Sequence, residues 1–285
     1  MSGERTLRLA SWNIENLAPW LAEDDPAPLA PLVDGLGRPD VLCLQEIRVR
    51  PQDTELVRRM ERAAPGYRCA SSLARDPRNV TYRGGRAYGV ATYVRDDVGR
   101  IASAAPAWDR EGRALVTRLA DLGLSVVNLY AVNGTSKPYW DHDRGAVVGD
   151  RHAFKRAVQD RLFELARGLA ADGPVILAGD WNVSRTRLDV HPRLRTEEPH
   201  ATARAQLEAH LAASGMVDVY RQLHPDERGY TWISRARPHR LDAARVDYAV
   251  VSAELAARVT DAAIVEPPLD RGRSDHRVVT VTVRL

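Results

Sequence analysis

The chain of 285 residues is 44% hydrophobic and 28% charged, a balance typical of globular proteins that bury a sizeable core. It has no apolar run long enough to cross a bilayer, and its two cysteines, Cys43 and Cys69, are too few for a disulfide framework or a cysteine-rich zinc site. The net charge of +3 and the pI near 9.0 are compatible with a polyanionic partner without identifying one. Because no apolar leader segment follows Met1, we expect a cytoplasmic protein without membrane contact.

Short apolar runs that end in polar residues recur through the first half of the chain. Strands are predicted at Leu7–Ser11, Val41–Leu44, Tyr67–Ser71, Tyr88–Val94, Ala114–Leu119 and Leu124–Tyr130. The proline-rich segment from Pro19 to Pro31 predicts a loop that leads into a short helix. A longer helix is predicted from Thr54 to Ala64, because Asp53 is a favourable N-cap and Pro65-Gly66 stops the pattern.

The second half begins with a polar segment, residues 131–149, which predicts a long loop that is either functional or mobile. Asp150 then caps a predicted helix that extends to about Leu169, and we expect the basic residues of this helix to form a solvated face. The remaining predicted elements are a strand at Val175–Ala178, an irregular stretch at Ser184–Pro199, a helix at Ala201–Ala213, and strands at Val217–Tyr220, Val246–Val251 and Val278–Val283. The alternation of helices and hairpin-like strands predicts mixed sheets in one domain, residues 1–285.

Polar side chains follow the ends of most of these strands, where they can reach a shared cleft. They are Asn13, Glu15, Glu46, Tyr130, Asn133, Asp180, Asn182, Asp247, Asp275 and His276. Oxygen ligands dominate this set, which favours Mg²⁺ or Mn²⁺ over zinc. A cation would also keep clustered carboxylates ionised, so the residues suit metal-assisted attack of water on phosphorus. Trp12 and Trp181 are expected to pack beneath the cleft, whereas Asp189 fits a supporting or a purely structural role equally well.

Several motifs in order resemble those of the endonuclease/exonuclease/phosphatase superfamily, and within it the exonuclease III type of apurinic/apyrimidinic endonuclease. The matching segments are Ser11-Trp12-Asn13-Ile14, Leu44-Gln45-Glu46-Ile47-Arg48, Asn128-Leu129-Tyr130-Ala131-Val132-Asn133-Gly134, Gly179-Asp180-Trp181-Asn182-Val183, Leu188-Asp189, Arg245-Val246-Asp247-Tyr248 and Ser274-Asp275-His276. The chain departs from the pattern of the repair enzymes at Glu15-Asn16-Leu17 and in the segment from Asn133 to Gly149.

This resemblance implies an α/β fold, a four-layered αββα sandwich in which helices flank two packed mixed β-sheets, as in deoxyribonuclease I. It implies that Glu46, Asn13 and Asp275 form the metal site, which would hold Mg²⁺ or Mn²⁺. Asp180 would activate the attacking water and Asn182 would hold that water or the phosphate. His276, oriented by Asp247, would neutralise the phosphoryl oxygen, and Tyr130 would contact the phosphate or the leaving oxygen. The substrate contacts would come from Asn133, Trp232 and Arg185.

The activity that the resemblance implies is DNA repair. The protein would be a monomeric Mg²⁺-dependent nuclease with apurinic/apyrimidinic endonuclease and 3′-5′ exonuclease activity on double-stranded DNA that carries abasic or 3′-end lesions. One alternative is a phosphodiesterase or phosphatase of the same superfamily that acts on a lipid or a small phosphate ester. Another is a DNA-binding protein that kept the fold and lost catalysis, although an unused cluster of carboxylates would cost stability.

Overall fold

The computed structural model describes residues 5–21, 25–76, 78–79, 88–194, 197–235, 241–268 and 274–285. The strands in these ranges are β1 (Thr6–Asn13), β2 (Val41–Gln45), β3 (Tyr67–Leu73), β4 (Gly89–Arg95), β5 (Ile101–Ala104), β6 (Ala114–Leu119), β7 (Leu124–Tyr130), β8 (Pro138–Asp141), β9 (Ala146–Asp150), β10 (Val175–Asp180), β11 (Val217–Asp218), β12 (Trp232–Ile233), β13 (Ala243–Ala244), β14 (Asp247–Val251), β15 (Val259–Val265) and β16 (Val278–Arg284). The α-helices are α1 (Ala18–Leu21), α2 (Ala30–Gly35), α3 (Thr54–Arg62), α4 (Arg151–Ala170), α5 (His200–Ser214), α6 (Val219–Leu223) and α7 (Ala253–Ala256).

Two mixed six-stranded sheets form the centre of the fold. The first has the strand order β15-β16-β1-β2-β4-β3 and the second has the order β11-β14-β10-β7-β6-β5. In each sheet one central pair is parallel, β1 with β2 and β10 with β7, while their other neighbours are antiparallel. Side chains that alternate along these strands therefore face either the opposite sheet or an outer layer of helices.

Three hydrophobic clusters show the layering. One cluster lies between the sheets and includes Leu9, Val126 and Ile176. A second joins the outer face of the first sheet to α2 and α3, and a third joins the outer face of the second sheet to α4 and α5. The predicted four-layered αββα sandwich is therefore confirmed.

A buried amide pair connects the two sheets beside the inter-sheet core. The side-chain nitrogen of Gln45 in β2 donates to the side-chain oxygen of Asn128 in β7 at 2.8 Å. Asn128 in turn donates to the main-chain oxygen of Ala91 at 2.9 Å. Because both side chains are fully buried, their hydrogen bonds favour one relative placement of the sheets. That placement brings the ends of β2 and β7 together.

Most predicted elements are present, and two caps are confirmed in detail. The side chain of Asp53 accepts from the main-chain nitrogen of Leu56 at the start of α3, and Asp150 accepts from Ala153 at the start of α4. Trp12 and Trp181 are fully buried, as expected, and the cysteines are free thiols. Among the described residues, no helix combines the length and the apolar content that a bilayer crossing needs.

Three predictions of local structure are wrong. Residues 131–149 contain an antiparallel hairpin of β8 and β9 where a loop was expected. The predicted strand at Val217–Tyr220 stops after two residues, because Asp218 caps α6 by accepting from the main-chain nitrogen of Arg221. The prediction that the basic residues of α4 are solvated is wrong for Arg151 and Lys155, which are 9% and 4% exposed. Arg151 donates to the carboxylate of Glu111, and Lys155 donates to the main-chain oxygen of Asn182.

Candidate active site

The polar strand ends of both sheets meet at one edge of the sandwich. In the second sheet, Asp180 is the register partner of Tyr130 on one side and of Asp247 on the other. In the first sheet, Asn13 pairs with Gln45, which immediately precedes Glu46. Because these positions are ends of neighbouring strands, rigid backbone rather than a flexible loop places their side chains.

Gly179, which directly precedes Asp180, allows β7 and β10 to approach each other closely. Its φ of +150° lies in a region that L side chains rarely adopt, and a Cβ atom there would collide with the carbonyl of Leu129. A glycine is therefore required one position before Asp180.

Four cleft residues other than glycine have a left-handed backbone, namely Glu15, Glu46, Arg48 and Asn182. Such conformations typically cost about 1–3 kcal/mol each and cluster at functional sites. In the described part of the chain, only one other non-glycine residue, Arg38, has a positive φ. The strained backbone of this protein is therefore concentrated where the polar residues meet.

Asp247 and His276 form a buried pair across the two sheets. The Nδ1 atom of His276 lies 2.8 Å from Oδ2 of Asp247. Burial lowers the pKa of His276, but the carboxylates of Asp247, Asp180 and Asp275 outweigh it and raise that pKa to about 10. The imidazole is therefore protonated at neutral pH, and its Nε2–H, which points away from Asp247, can donate to an anion.

Asp180 is buried between polar donors. Its Oδ1 accepts from the main-chain nitrogen of Asn182 at 2.8 Å, and its Oδ2 accepts from the side-chain nitrogen of Asn13 at 3.0 Å. Burial, followed by repulsion from Asp247, raises the pKa of Asp180 to about 7. A carboxylate with a pKa in this range can accept a proton from water near neutral pH.

Glu46 receives hydrogen bonds on both carboxylate oxygens. The hydroxyl of Tyr130 donates to Oε1, and the guanidinium of Arg48 donates to Oε2 at 2.7 Å. Burial is the main reason that the pKa of Tyr130 lies well above its usual value, and Glu46 raises it further. The phenol therefore stays protonated and orients the carboxylate.

Two groups of acids could hold a metal ion. Ligand atoms of Asp180, Asp247 and His276 lie within 4.8 Å of one another, and in this cluster Nδ1 of the imidazole faces Asp247. The other group is Glu15, Glu46 and Asp275, which line the same cleft. Burial, followed by the negative charge of Asp275, raises the pKa of Glu15, although Arg235 and Arg48 oppose this change. Arg235 pairs with Glu15 at 2.8 Å and Arg48 pairs with Glu46 at 2.7 Å. The donor set at this second position fits a hard cation.

The cleft has a volume of about 800 Å³ and brings together all but two of the predicted site residues. Asn133 and Trp232 line it, and the indole nitrogen of Trp232 donates to Asp275 at 2.9 Å. Asp247 lies behind His276 as its buried partner. The second residue outside the cleft is Arg185, whose guanidinium is engaged by Glu208 at 2.6 Å and by Asp218 at 2.9 Å. Its predicted contact with substrate stays a prediction.

Three residues to which the sequence analysis gave no role position the site. Lys155 is 4% exposed and donates to the main-chain oxygen of Asn182 at 2.6 Å. Ser274 donates to the main-chain oxygen of Asn13, and the hydroxyl of Thr231 accepts from the main-chain nitrogen of Asp247. The position of Ser274 beside Asp275-His276 was a usable signal, whereas Lys155 resembled any other basic helix residue.

Asp189 does not line the cleft and belongs to a buried ion network. It is fully buried and accepts from Arg245 at 2.7 Å and from Arg221 at 2.6 Å. Arg245 also donates to Asp218 at 2.7 Å. This ion network ties the segment after β10 to the start of β14, and thereby fixes the approach to Asp247.

A protein-family model described as the Endonuclease/Exonuclease/phosphatase family matches residues 10–276. Recombination repair protein 1 of Drosophila melanogaster is 27% identical over 300 residues, which cover 98% of this chain and 37% of that protein. The chain therefore spans little more than a third of this relative. Exodeoxyribonuclease of Bacillus subtilis is 24% identical over 98% of this chain and its own entire length.

Solved structures share the fold. An AP endonuclease from Archaeoglobus fulgidus superimposes with a TM-score of 0.70 at 22% identity, covering 98% of this chain and 100% of that one. The 3′-5′ exonuclease NExo from Neisseria meningitidis gives a TM-score of 0.72 at 23% identity over the same shares of the two chains.

Proposed function

The chain belongs to the Endonuclease/Exonuclease/phosphatase family, and we propose that it is a Mg²⁺-dependent DNA repair nuclease with apurinic/apyrimidinic endonuclease and 3′-5′ exonuclease activity. The observation that carries the proposal is the convergence of carboxylates, amides and one carboxylate-paired histidine from both sheets in one cleft. The names of relatives that match almost the whole chain support DNA as the substrate. Mn²⁺ would suit the same oxygen ligands.

Glu46 and Asp275 would hold the metal in this proposal, with Asn13 beside them. Tyr130 and Arg48 orient the Glu46 carboxylate, and Trp232 orients the Asp275 carboxylate. When bound, the divalent cation supplies Lewis-acid charge to the phosphoryl oxygens.

The remaining polar groups act on the water and the phosphate. Asp180, held by Asn13 and Asn182, takes a proton from the attacking water. The Nε2–H of His276 donates to a phosphoryl oxygen as negative charge increases there, while Asp247 keeps the ring protonated and oriented. Asn133 contacts the phosphate from the wall of the cleft.

A substrate panel tests this function. The purified protein and Mg²⁺ would be incubated separately with a duplex that carries one abasic-site analogue, with a recessed 3′ end, with bis-p-nitrophenyl phosphate and with phospholipid vesicles. We expect incision immediately 5′ of the abasic analogue, leaving a 3′-hydroxyl, and removal of 3′ nucleotides. Hydrolysis of only the small ester or the lipid would replace the nuclease with the alternative phosphoesterase. Salt-sensitive DNA binding without hydrolysis of any substrate would indicate a binding protein.

A further inference from the structure

Arg113, the residue before β6, lies across from Tyr130, the last residue of β7. Its main-chain oxygen accepts from the main-chain nitrogen of Tyr130 at 2.7 Å. The guanidinium carbon of Arg113 lies 4.6 Å from the centre of the Tyr130 ring and 4.7 Å from the centre of the Tyr88 ring. The centres of these two rings are 5.5 Å apart, and their planes meet at 58°. One planar cation therefore packs against both tyrosine rings.

The charge of Arg113 is buried, and a carboxylate holds it from the side away from the rings. Arg113 and Glu111 are 3% and 1% exposed, and Nε of Arg113 donates to Oε2 of Glu111 at 2.9 Å. Arg151 in α4 donates to the same oxygen at 2.7 Å. Burial raises the pKa of Glu111, but the two guanidinium groups outweigh it and hold that pKa below its usual value. Glu111 therefore stays ionised and fixes the side chain of Arg113.

The turn that carries these residues is also fixed. One carboxylate oxygen of Asp109 accepts from the main-chain nitrogens of Arg113 and Ala114 at 2.6 and 2.8 Å. Gly112 has a φ of +69°, and a Cβ atom there would lie 2.7 Å from the main-chain nitrogen of Ala74. The backbone, the ion pair and the ring contacts together hold the guanidinium in one place.

The orientation of the Tyr130 ring matters because its hydroxyl donates to Glu46, which would hold the metal together with Asp275. Rotation of the ring about its Cα–Cβ bond would carry the hydroxyl away from that carboxylate. Arg113 opposes such rotation, since a cation is attracted to an aromatic face most strongly when both are shielded from water. Side chains that orient metal ligands typically contribute about 10- to 100-fold in metal affinity.

We infer that Arg113 is a positioning residue for the metal site, acting on Glu46 through the ring of Tyr130, a role that rests on the proposed function. A role through charge alone would have the opposite sign. A buried cation repels a divalent metal ion, so its removal would tighten metal binding, whereas removal of an orienting contact weakens it. The direction of the change in metal affinity therefore separates the two roles.

Mn²⁺ binding in the absence of DNA tests this role without any catalytic step. Mn²⁺ would be titrated into the purified protein, and the free ion would be followed by its electron paramagnetic resonance signal. Arg113→Met, which is neutral and of similar length, should raise the dissociation constant about fivefold or more. In the Tyr130→Phe background the same substitution should change the constant by less than about twofold, because the hydroxyl through which Arg113 acts is already absent.

Two further variants make the test specific. Arg118→Met, the same substitution within β6, breaks an exposed ion pair with Asp172 and should leave the dissociation constant unchanged. Arg113→Lys keeps a positive charge beside Glu111 and provides a second measurement if the methionine variant does not fold. Because an ammonium group has no planar face to lie against the rings, Arg113→Lys should also raise the constant.

The results that would overturn this role differ from those that would overturn the proposed function. An unchanged or lower dissociation constant in folded Arg113→Met would reject the role and leave the proposed function intact. Equal losses of affinity in the wild-type and Tyr130→Phe backgrounds would also reject it, because Arg113 would then act independently of the hydroxyl. Failure of the wild-type protein to bind Mn²⁺ would reject the proposed metal dependence, and the role of Arg113 with it.

Discussion

His276 Nδ1 lies 2.8 Å from Asp247 Oδ2, so that a carboxylate at the start of β14 in one sheet orients the side chain that precedes β16 in the other. The main-chain nitrogen of Asp247 is held by the Thr231 hydroxyl at 3.0 Å, and that of His276 by Ser274 at 3.0 Å. The phosphate-binding donor of the proposed mechanism therefore depends on the packing of the two sheets.

Asp247→Asn should lower kcat for abasic-site incision by roughly 100-fold or more, because a neutral amide cannot stabilise the charged imidazole of His276. KM should change by less than about threefold, since Asp247 is buried behind the histidine. Steady-state kinetics on an abasic duplex would measure both constants. Asp261→Asn, at an exposed position of β15, is the matched control. A kcat within threefold of wild type would remove Asp247 from the mechanism.

Tyr130→Phe should raise the Mg²⁺ concentration for half-maximal activity about tenfold, because Glu46 would lose the hydroxyl that orients its carboxylate. A Mg²⁺ titration of the initial rate measures this requirement. Tyr139→Phe, in the β8–β9 hairpin, should leave the requirement unchanged. An unchanged requirement in Tyr130→Phe together with a lower kcat would instead assign the hydroxyl to the substrate.

Lys155 should make stability rise with pH on the alkaline side. Burial lowers its pKa from 10.5 to about 8, although Asp180 opposes this change. Between pH 8 and 10.5 the unfolded chain holds the lysine proton that the folded chain has released, so the free energy of unfolding should increase by up to about 3 kcal/mol. Urea unfolding of wild type and Lys155→Met at several pH values isolates this contribution. A difference between the two proteins that is constant from pH 7 to 10 would contradict it.

Arg245→Met should lower the free energy of unfolding by about 3 kcal/mol, because it leaves the buried carboxylates of Asp189 and Asp218 with less positive charge. We expect the lower end of the usual range, since Arg221 and Arg185 still contact these acids. Urea denaturation provides the measurement. Arg58→Met breaks the exposed pair with Glu55 and should have a much smaller effect. An equal loss of unfolding free energy in both variants would show that burial does not determine how much an ion pair contributes to stability.

The sequence predicted the central strands and the capped helices well, because buried parallel strands are continuous apolar runs and caps have specific residues. It missed β5 and β15, which lie at the edges of the two sheets and have less buried faces. The β8–β9 hairpin was missed because its strands are short and largely polar.

Among the site residues, the strand ends were predictable because neighbouring strands terminate at one edge. The positions of the long basic side chains were not predictable. Lys155 and Arg185 lie in polar segments, and only tertiary packing determines that one reaches the site and the other an ion network. Periodicity contains no information on which partner a long basic side chain reaches.

The most direct test of the account is Mg²⁺-dependent incision of a duplex with one abasic-site analogue by wild type and by Asp180→Asn, with and without EDTA. We predict a product cut 5′ of the analogue for wild type, no product in EDTA, and a rate at least 100-fold lower for the variant. Incision by Asp180→Asn at the wild-type rate, or incision that EDTA does not affect, would contradict a metal-dependent site at the meeting of the two sheets.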